Sequence, residues 1–224
     1  MFRDFSDYDN DPIEAMFVRL AEDDHPDKID LGIGVFRNDE GKVPVMQAVR
    51  RAEQQLYDRD LPKSYLSPLG HADYCHDIES LVLGRDHPVL KDNRIVSAQT
   101  PGAGSALRAA AELVNSLDPD SAVWVSRPVW GHQLEFFEKG GMQIREYRYY
   151  DQPNAVLDEE GMLEDLAGMK PNDILLIHGC CHNPTGQDLS LDQWARVAAV
   201  VMQTGAIPFV DVAYQGIGQG IDED

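Results

Sequence analysis

Three short runs constrain this chain more than anything else in it: 122–126 (AVWVS), 173–178 (DILLIH) and 206–212 (AIPFVDV) are apolar without strict polar alternation. A strand with no polar face has to be covered on both sides, as strands of parallel sheets are. Helix-patterned stretches separate these runs, and strands alternating with helices define an α/β fold. The expected architecture is a mainly parallel sheet with helices on both faces. The chain stops at Ile221-Asp222-Glu223-Asp224, shortly after the last run and its exit loop, so the sheet is expected to be incomplete at its C-terminus.

Further strands are expected at 94–99 (RIVSAQ) and 143–149 (QIREYRY). Helices are expected at 13–22, at 45–57 after Pro44, at the alanine-rich 105–117, near 132–138 and at 163–169. Ser190 and Gln193 form a capping-box signature for a helix reaching Gln203. Residues 29–36 (IDLGIGVF) read as a short extended stretch whose two glycines allow close backbone approach. Residues 63–70 (KSYLSPLG) form a proline-bracketed loop, and no internal repeat is visible.

At 224 residues and 43% hydrophobic content the chain can bury one sizeable core and a small second lobe. Its net charge of −20 repels nucleic acid and anionic membranes, so an anionic ligand would need a locally positive site. The cysteines, Cys75, Cys180 and Cys181, are odd in number and two are adjacent. This implies no disulfide framework and fits a reducing, cytoplasmic setting. The acidic N-terminus lacks the apolar stretch of a signal peptide, and no apolar run is long enough to span a membrane.

Open parallel sheets bind ligands at the carboxyl ends of their strands. After 94–99 come Gly102, Ala103, Gly104 and Ser105, opening a helix: glycines allow close approach and a helix N-terminus favours a phosphate. No GK[ST] follows, and the third glycine of a dinucleotide fingerprint is missing. An oxidoreductase of that kind would also need an acid at the end of the second strand, where Ser126-Arg127-Pro128 supplies none. Trp130, after the second strand, can stack on a flat heteroaromatic ring or fill a core. His178-Gly179-Cys180-Cys181-His182 is too tightly spaced for a zinc site, whereas Asn183-Pro184-Thr185-Gly186 is a turn with a side-chain amide to offer. Asp211, ending a buried strand, needs a partner: a salt-bridging group or a protonated ring nitrogen. A phosphate cradle, a ring stacker, an amide and a buried acid on successive strand exits suit a phosphorylated pyridine.

From about Asp11 to the end the chain resembles, motif by motif and in order, the aspartate/aromatic aminotransferase subgroup of the fold type I pyridoxal-phosphate enzymes. The motifs are IDLGIGVFRNDEGKVPV, KSYLSPLG, TPGAGSALRAAAELV, SRPVWGHQ, REYRYYD, HGCCHNPTG and FVDVAYQG. The resemblance implies an arm and small-domain segment at 1–44, and at 45–224 the N-terminal part of the cofactor-binding large domain. It implies that Asp211 pairs with the pyridinium nitrogen, that Tyr214 and Asn183 bond the phenolic oxygen, and that Trp130 stacks on the ring. Gly102, Ala103, Gly104 and Ser105 would hold the phosphate. Tyr65 would reach the phosphate of a neighbouring subunit in a homodimer, clasped by the N-terminal arm. Gly34, Trp130 and Asn183 would lie near the substrate, and His178 behind Asp211.

The chain also departs from the pattern. It has PGAGSALR where the family usually reads PGGTGALR, so Gly104 replaces a threonine. It has Trp130-Gly131-His132-Gln133 where the family reads WPNH. The lysine that holds the cofactor covalently would lie beyond Asp211, but the lysines here are Lys28, Lys42, Lys63, Lys91, Lys139 and Lys170. The expected activity of the complete enzyme is transamination of aspartate or an aromatic amino acid with 2-oxoglutarate. The chain alone is expected to be an inactive N-terminal portion, poorly soluble or molten. The alternative is a non-catalytic protein that binds pyridoxal phosphate without a covalent bond.

Overall fold

The computed structural model describes residues 12–29, 32 and 34–224. The chain divides into two compact units, Met1–Tyr65 and Leu66–Asp224, a different division from the 44/45 boundary that the resemblance implies. Among the described residues no helix is long and apolar enough to cross a membrane.

The first unit holds helix α1, Pro12–Glu22, and helix α2, Gln47–Arg59. Between them Asn38 closes a turn in which Gly41 takes φ +72°, a left-handed conformation suited to glycine. Helix α2 buries none of its residues. Residues 1–11, 30, 31 and 33, which include much of the expected arm and part of the 29–36 stretch, lie outside the described residues.

The second unit is built on strands β1 (Ala122–Arg127), β2 (Gln143–Arg148), β5 (Ile174–His178) and β6 (Ile207–Asp211), separated in sequence by a two-stranded ribbon of β3 (Tyr150–Asp151) and β4 (Val156–Leu157). The four long strands form one sheet in the order β2-β1-β5-β6, and every neighbouring pair is parallel. The expected mainly parallel sheet is therefore present.

Its two faces follow from the two-residue period of a strand. Val123, Val125, Ile174 and Leu176 face one core with Leu107, Ala111 and Phe137, supplied by α5 (Ala103–Leu117) and α6 (Gly131–Lys139). Trp124, Leu175 and Ile177 face the other with Met162, Leu166, Val197 and Val201, supplied by α7 (Glu159–Leu166) and α8 (Leu191–Thr204). Truncating Leu175, which is 0% exposed, would cost about 2–5 kcal/mol. The capping box at Ser190 is formed in both directions, and α8 ends at Gly205 with φ +73°.

One expected strand is corrected. Residues 94–99 belong to no strand. Gln99 N–H bonds Leu69 C=O and Ser97 Oγ donates to Glu79, so these groups go to the neighbouring loop and helix and not to a ladder. β-propensity alone does not make a strand without a partner edge. Helix α3, Ala72–Leu83, was not expected, nor was the short α4, Pro88–Lys91. Strand β6 is an edge of the described sheet, and leaves Ile207 and Val210 nearly half-exposed, a surface that invites pairing.

Candidate functional site

The exits of β5 and β6 lie side by side, because the register pairs His178 with Asp211. Helix α6 reaches this point from the next layer. Its first turn, closed by Gln133 N–H on Trp130 C=O, aims the Gln133 side chain inward, where it is 0% exposed. Gln133 Nε2 donates to Asp211 Oδ2 at 2.5 Å and lies 3.3 Å from His178 Nε2. Its other polar atom, Oε1, is buried and accepts no hydrogen bond from a described residue. Such an orphan costs on the order of 1–3 kcal/mol, so something else must favour this arrangement.

Behind these residues the β5 exit is tightly fastened. The His182 ring stacks on Tyr149 at 4.0 Å and meets His178 edge-on at 4.7 Å. Its Nε2 pairs with Ser126 Oγ at 2.9 Å and its Nδ1 with Thr185 Oγ1 at 2.8 Å. The Asp188 carboxylate accepts the N–H groups of Cys181 and His182. Burial, reinforced by His178, pushes the His182 imidazole down to about 3. Burial also lowers His178, against the opposing pull of Asp211 and Asp188. Both rings are thus neutral near pH 7, and the turn carrying Asn183 is pinned by the neutral His182 ring and by the Asp188 carboxylate. The Asn183–Pro184 and Arg127–Pro128 bonds are cis. Burial raises the Cys180 thiol to about 11 and also raises Cys181, so neither is a ready thiolate.

The remaining expected residues are less engaged. Trp130 caps α6, half-buried, with edge contacts to His132 and Phe136. Asn183 and Tyr214 are half-buried, and their side chains make no hydrogen bond with described residues. Helix α5 begins at Ala103 with Gly102 as its cap, two residues earlier than expected. Ala103, Gly104 and Ser105 are therefore in the first turn, where N–H groups have no intrahelical partner and favour an anion. Gly102, Ala103 and Ser105 are exposed. The Gly104 departure has a visible cause: a Cβ there would sit 2.7 Å from Cζ of Phe136, so a threonine would require that ring to move. A cleft of about 520 Å³ is lined by Arg127, Pro128, Tyr150, Gln152, Pro184 and Thr185, and its lining includes neither Asp211 nor residues 102–105. Gly34 and Tyr65 belong to the other unit, where both are exposed.

The structure sets His178 beside Asp211 in register and adds Gln133, which in the sequence stands only as part of a motif departure. A glutamine on a short helix ordinarily reads as surface. Its position three residues after Trp130, one turn into the helix, was the available signal.

A parallel α/β domain with a half-buried acid at the β6 exit and an open N-terminus on helix α5 has the parts of an anionic-cofactor binder. The model of the family "Aminotransferase class I and II" matches residues 26–223, and the chain belongs to that family. It is 42% identical over 214 residues to an aspartate aminotransferase of Haemophilus influenzae, covering 96% of this chain and 54% of that protein. An aromatic amino acid aminotransferase from Burkholderia cenocepacia superposes with a TM-score of 0.95 at 39% identity, over 100% of this chain and 56% of the other. One from Burkholderia pseudomallei, covalently bound to pyridoxal phosphate, also gives 0.95, at 38% identity over 99% and 56%. The chain spans just over half the length of these relatives.

Proposed function

We propose that this chain forms the pyridoxal-phosphate-binding part of a transaminase for aspartate or an aromatic amino acid. The acceptor is a 2-oxo acid such as 2-oxoglutarate, the protein works in the cytoplasm, and the complete enzyme is a homodimer. The observation that carries the reading is Asp211. One carboxylate oxygen is held by Gln133 and the other accepts no hydrogen bond from a described residue, at a strand exit, where a ring N–H can meet it. The residues present fit the cofactor: Asp211 for the pyridine nitrogen, Asn183 and Tyr214 for the phenolic oxygen, Trp130 for the ring face. The N–H groups of residues 102–105, with the Ser105 hydroxyl, suit the phosphate.

When bound, pyridoxal phosphate supplies an electron sink for the substrate's Cα. The chain's own residues would orient the ring, hold the ring-nitrogen proton at Asp211, and exclude water from the acid through the neutral, edge-on His178–His182 pair. Tyr65 serves the phosphate of a neighbouring subunit, and Gly34 the substrate carboxylate. The 224 residues tested by themselves are expected to hold the cofactor without a covalent bond and not to transaminate. Titrating the chain with pyridoxal phosphate, followed by tryptophan fluorescence, tests this. Saturable binding that weakens in Asp211→Ala is expected. Equal binding by the variant, or turnover of aspartate with 2-oxoglutarate by the 224-residue chain, would overturn it.

A further inference from the structure

We propose that Gln133 is the positioning residue for Asp211, acting through a single amide orientation that also fixes the tautomer of His178. The first half rests on the cofactor reading above; the second stands on geometry alone.

Gln133 Nε2 carries two hydrogens and has two neighbours to satisfy, Asp211 Oδ2 at 2.5 Å and His178 Nε2 at 3.3 Å. Turning the amide over would set Oε1 against the Asp211 carboxylate, two acceptors face to face. It would also give Oε1 a donor only if His178 carried its proton on Nε2. The orientation observed leaves Oε1 without a partner among the described residues, and gains a charge-assisted bond to the acid. It follows that His178 presents its Nε2 lone pair to Gln133 and carries its proton on Nδ1. Gln133 thereby holds one oxygen of Asp211 and leaves the other to a ligand.

The titratable groups facing this amide are His178 on β5 and Asp211 on β6, with His182 and Asp188 behind His178 on the β5 exit. The amide itself does not titrate. Where the resembled family has the histidine of WPNH, this chain has a group whose grip on Asp211 does not change with pH.

Nitrogen-15 NMR of the histidine-labelled, cofactor-free chain tests the geometric half. The expected spectrum shows His178 as the neutral Nδ1–H form at pH 8. A protonated Nε2 would overturn the proposal, and this measurement needs no variant. Gln133→Met keeps the length of the side chain and removes its hydrogen bonds. It is expected to give mixed His178 tautomers and to raise the dissociation constant for pyridoxal phosphate about tenfold. Gln133→His is expected to restore affinity but to make it fall or rise with pH between 5 and 8. A purely structural role for Gln133 predicts a lowered melting temperature for Gln133→Met with His178 and the affinity unchanged, and that result would also sink the proposal. If the unmodified chain binds no pyridoxal phosphate, the cofactor reading fails, while the His178 spectrum still decides the orientation.

Discussion

Two aspartates stand at opposite ends of the same sheet and are treated in opposite ways. Asp173, just before β5, is 3% exposed. Its Oδ1 accepts Ala122 N–H at 3.0 Å, and its Oδ2 accepts Trp124 Nε1–H at 2.8 Å and Lys170 N–H at 2.9 Å. Asp211, ending β6, is half-buried, and its carboxylate receives one hydrogen bond from the described residues, that of Gln133. The protein saturates the first acid and leaves the second partly unmet. A saturated acid can only hold strands together, whereas an acid with an unmet oxygen can hold a ligand.

The comparison is broken most directly at Asp173. Asp173→Ala strands three donors, the Ala122 and Lys170 N–H groups and the Trp124 indole, and is expected to cost about 3–5 kcal/mol. Urea unfolding of the second-unit signal measures this; a loss under about 1 kcal/mol would mean that the staple is dispensable. Burial opposes the charge on Asp173, but the hydrogen bonds from Lys170, Ala122 and Trp124 outweigh it and hold the carboxyl below its usual range. A depressed folded pKa stabilises above the unfolded value near 4 and is lost as pH falls through the folded one. The acid limb of the stability curve should therefore flatten in Asp173→Ala.

A second expected effect belongs to the carboxyl end of the sheet and sets in at higher pH. His182, held near 3 by burial in the fold, takes up a proton near 6.5 when unfolded. The unfolded chain then binds more protons than the folded one below that value, so stability drops as pH falls from about 6.5 and levels off near 3. The expected loss is about 2 kcal/mol between pH 7 and 5, at about 1.4 kcal/mol per unit. His182→Gln should remove the slope, as read by melting temperature across pH. An unchanged slope would move the effect to other groups.

Gly104→Thr tests the other expected contact, at the α5 N-terminus. The new side chain meets Phe136, and overpacking of this kind costs about 1–3 kcal/mol. Paired with Phe136→Leu, the threonine should be tolerated, a non-additive result that thermal melts would show.

Much of this was legible in the sequence, for a reason that also explains what was not. The runs AVWVS and DILLIH are apolar throughout because both faces of β1 and β5 are covered, so composition alone placed them centrally. Residues 94–99 carry the same β-branched signal, yet strand formation depends on a partner edge that no local pattern encodes. Helix α3 has a signal in the sequence: Tyr74, Ile78, Leu81 and Val82 recur at helical spacing. Asp211 announced itself as an acid at the end of a buried run. Gln133 could not, since its importance comes from a contact with β6, 78 residues away.

The smallest expected change in stability is at Asp211, and it is the one that gives the comparison its meaning. Asp211→Ala removes one hydrogen bond, at a half-buried oxygen, and leaves Gln133 Nε2 with His178 still in reach. The expected cost is about 1 kcal/mol, a third or less of that at Asp173. The same substitution should weaken pyridoxal phosphate binding by about 10- to 100-fold, because a ligand N–H then faces no charge-assisted acceptor. If unfolding instead showed a loss as large as that of Asp173→Ala, with binding unmoved, both acids would be staples. The open oxygen at the β6 exit would then carry no functional weight.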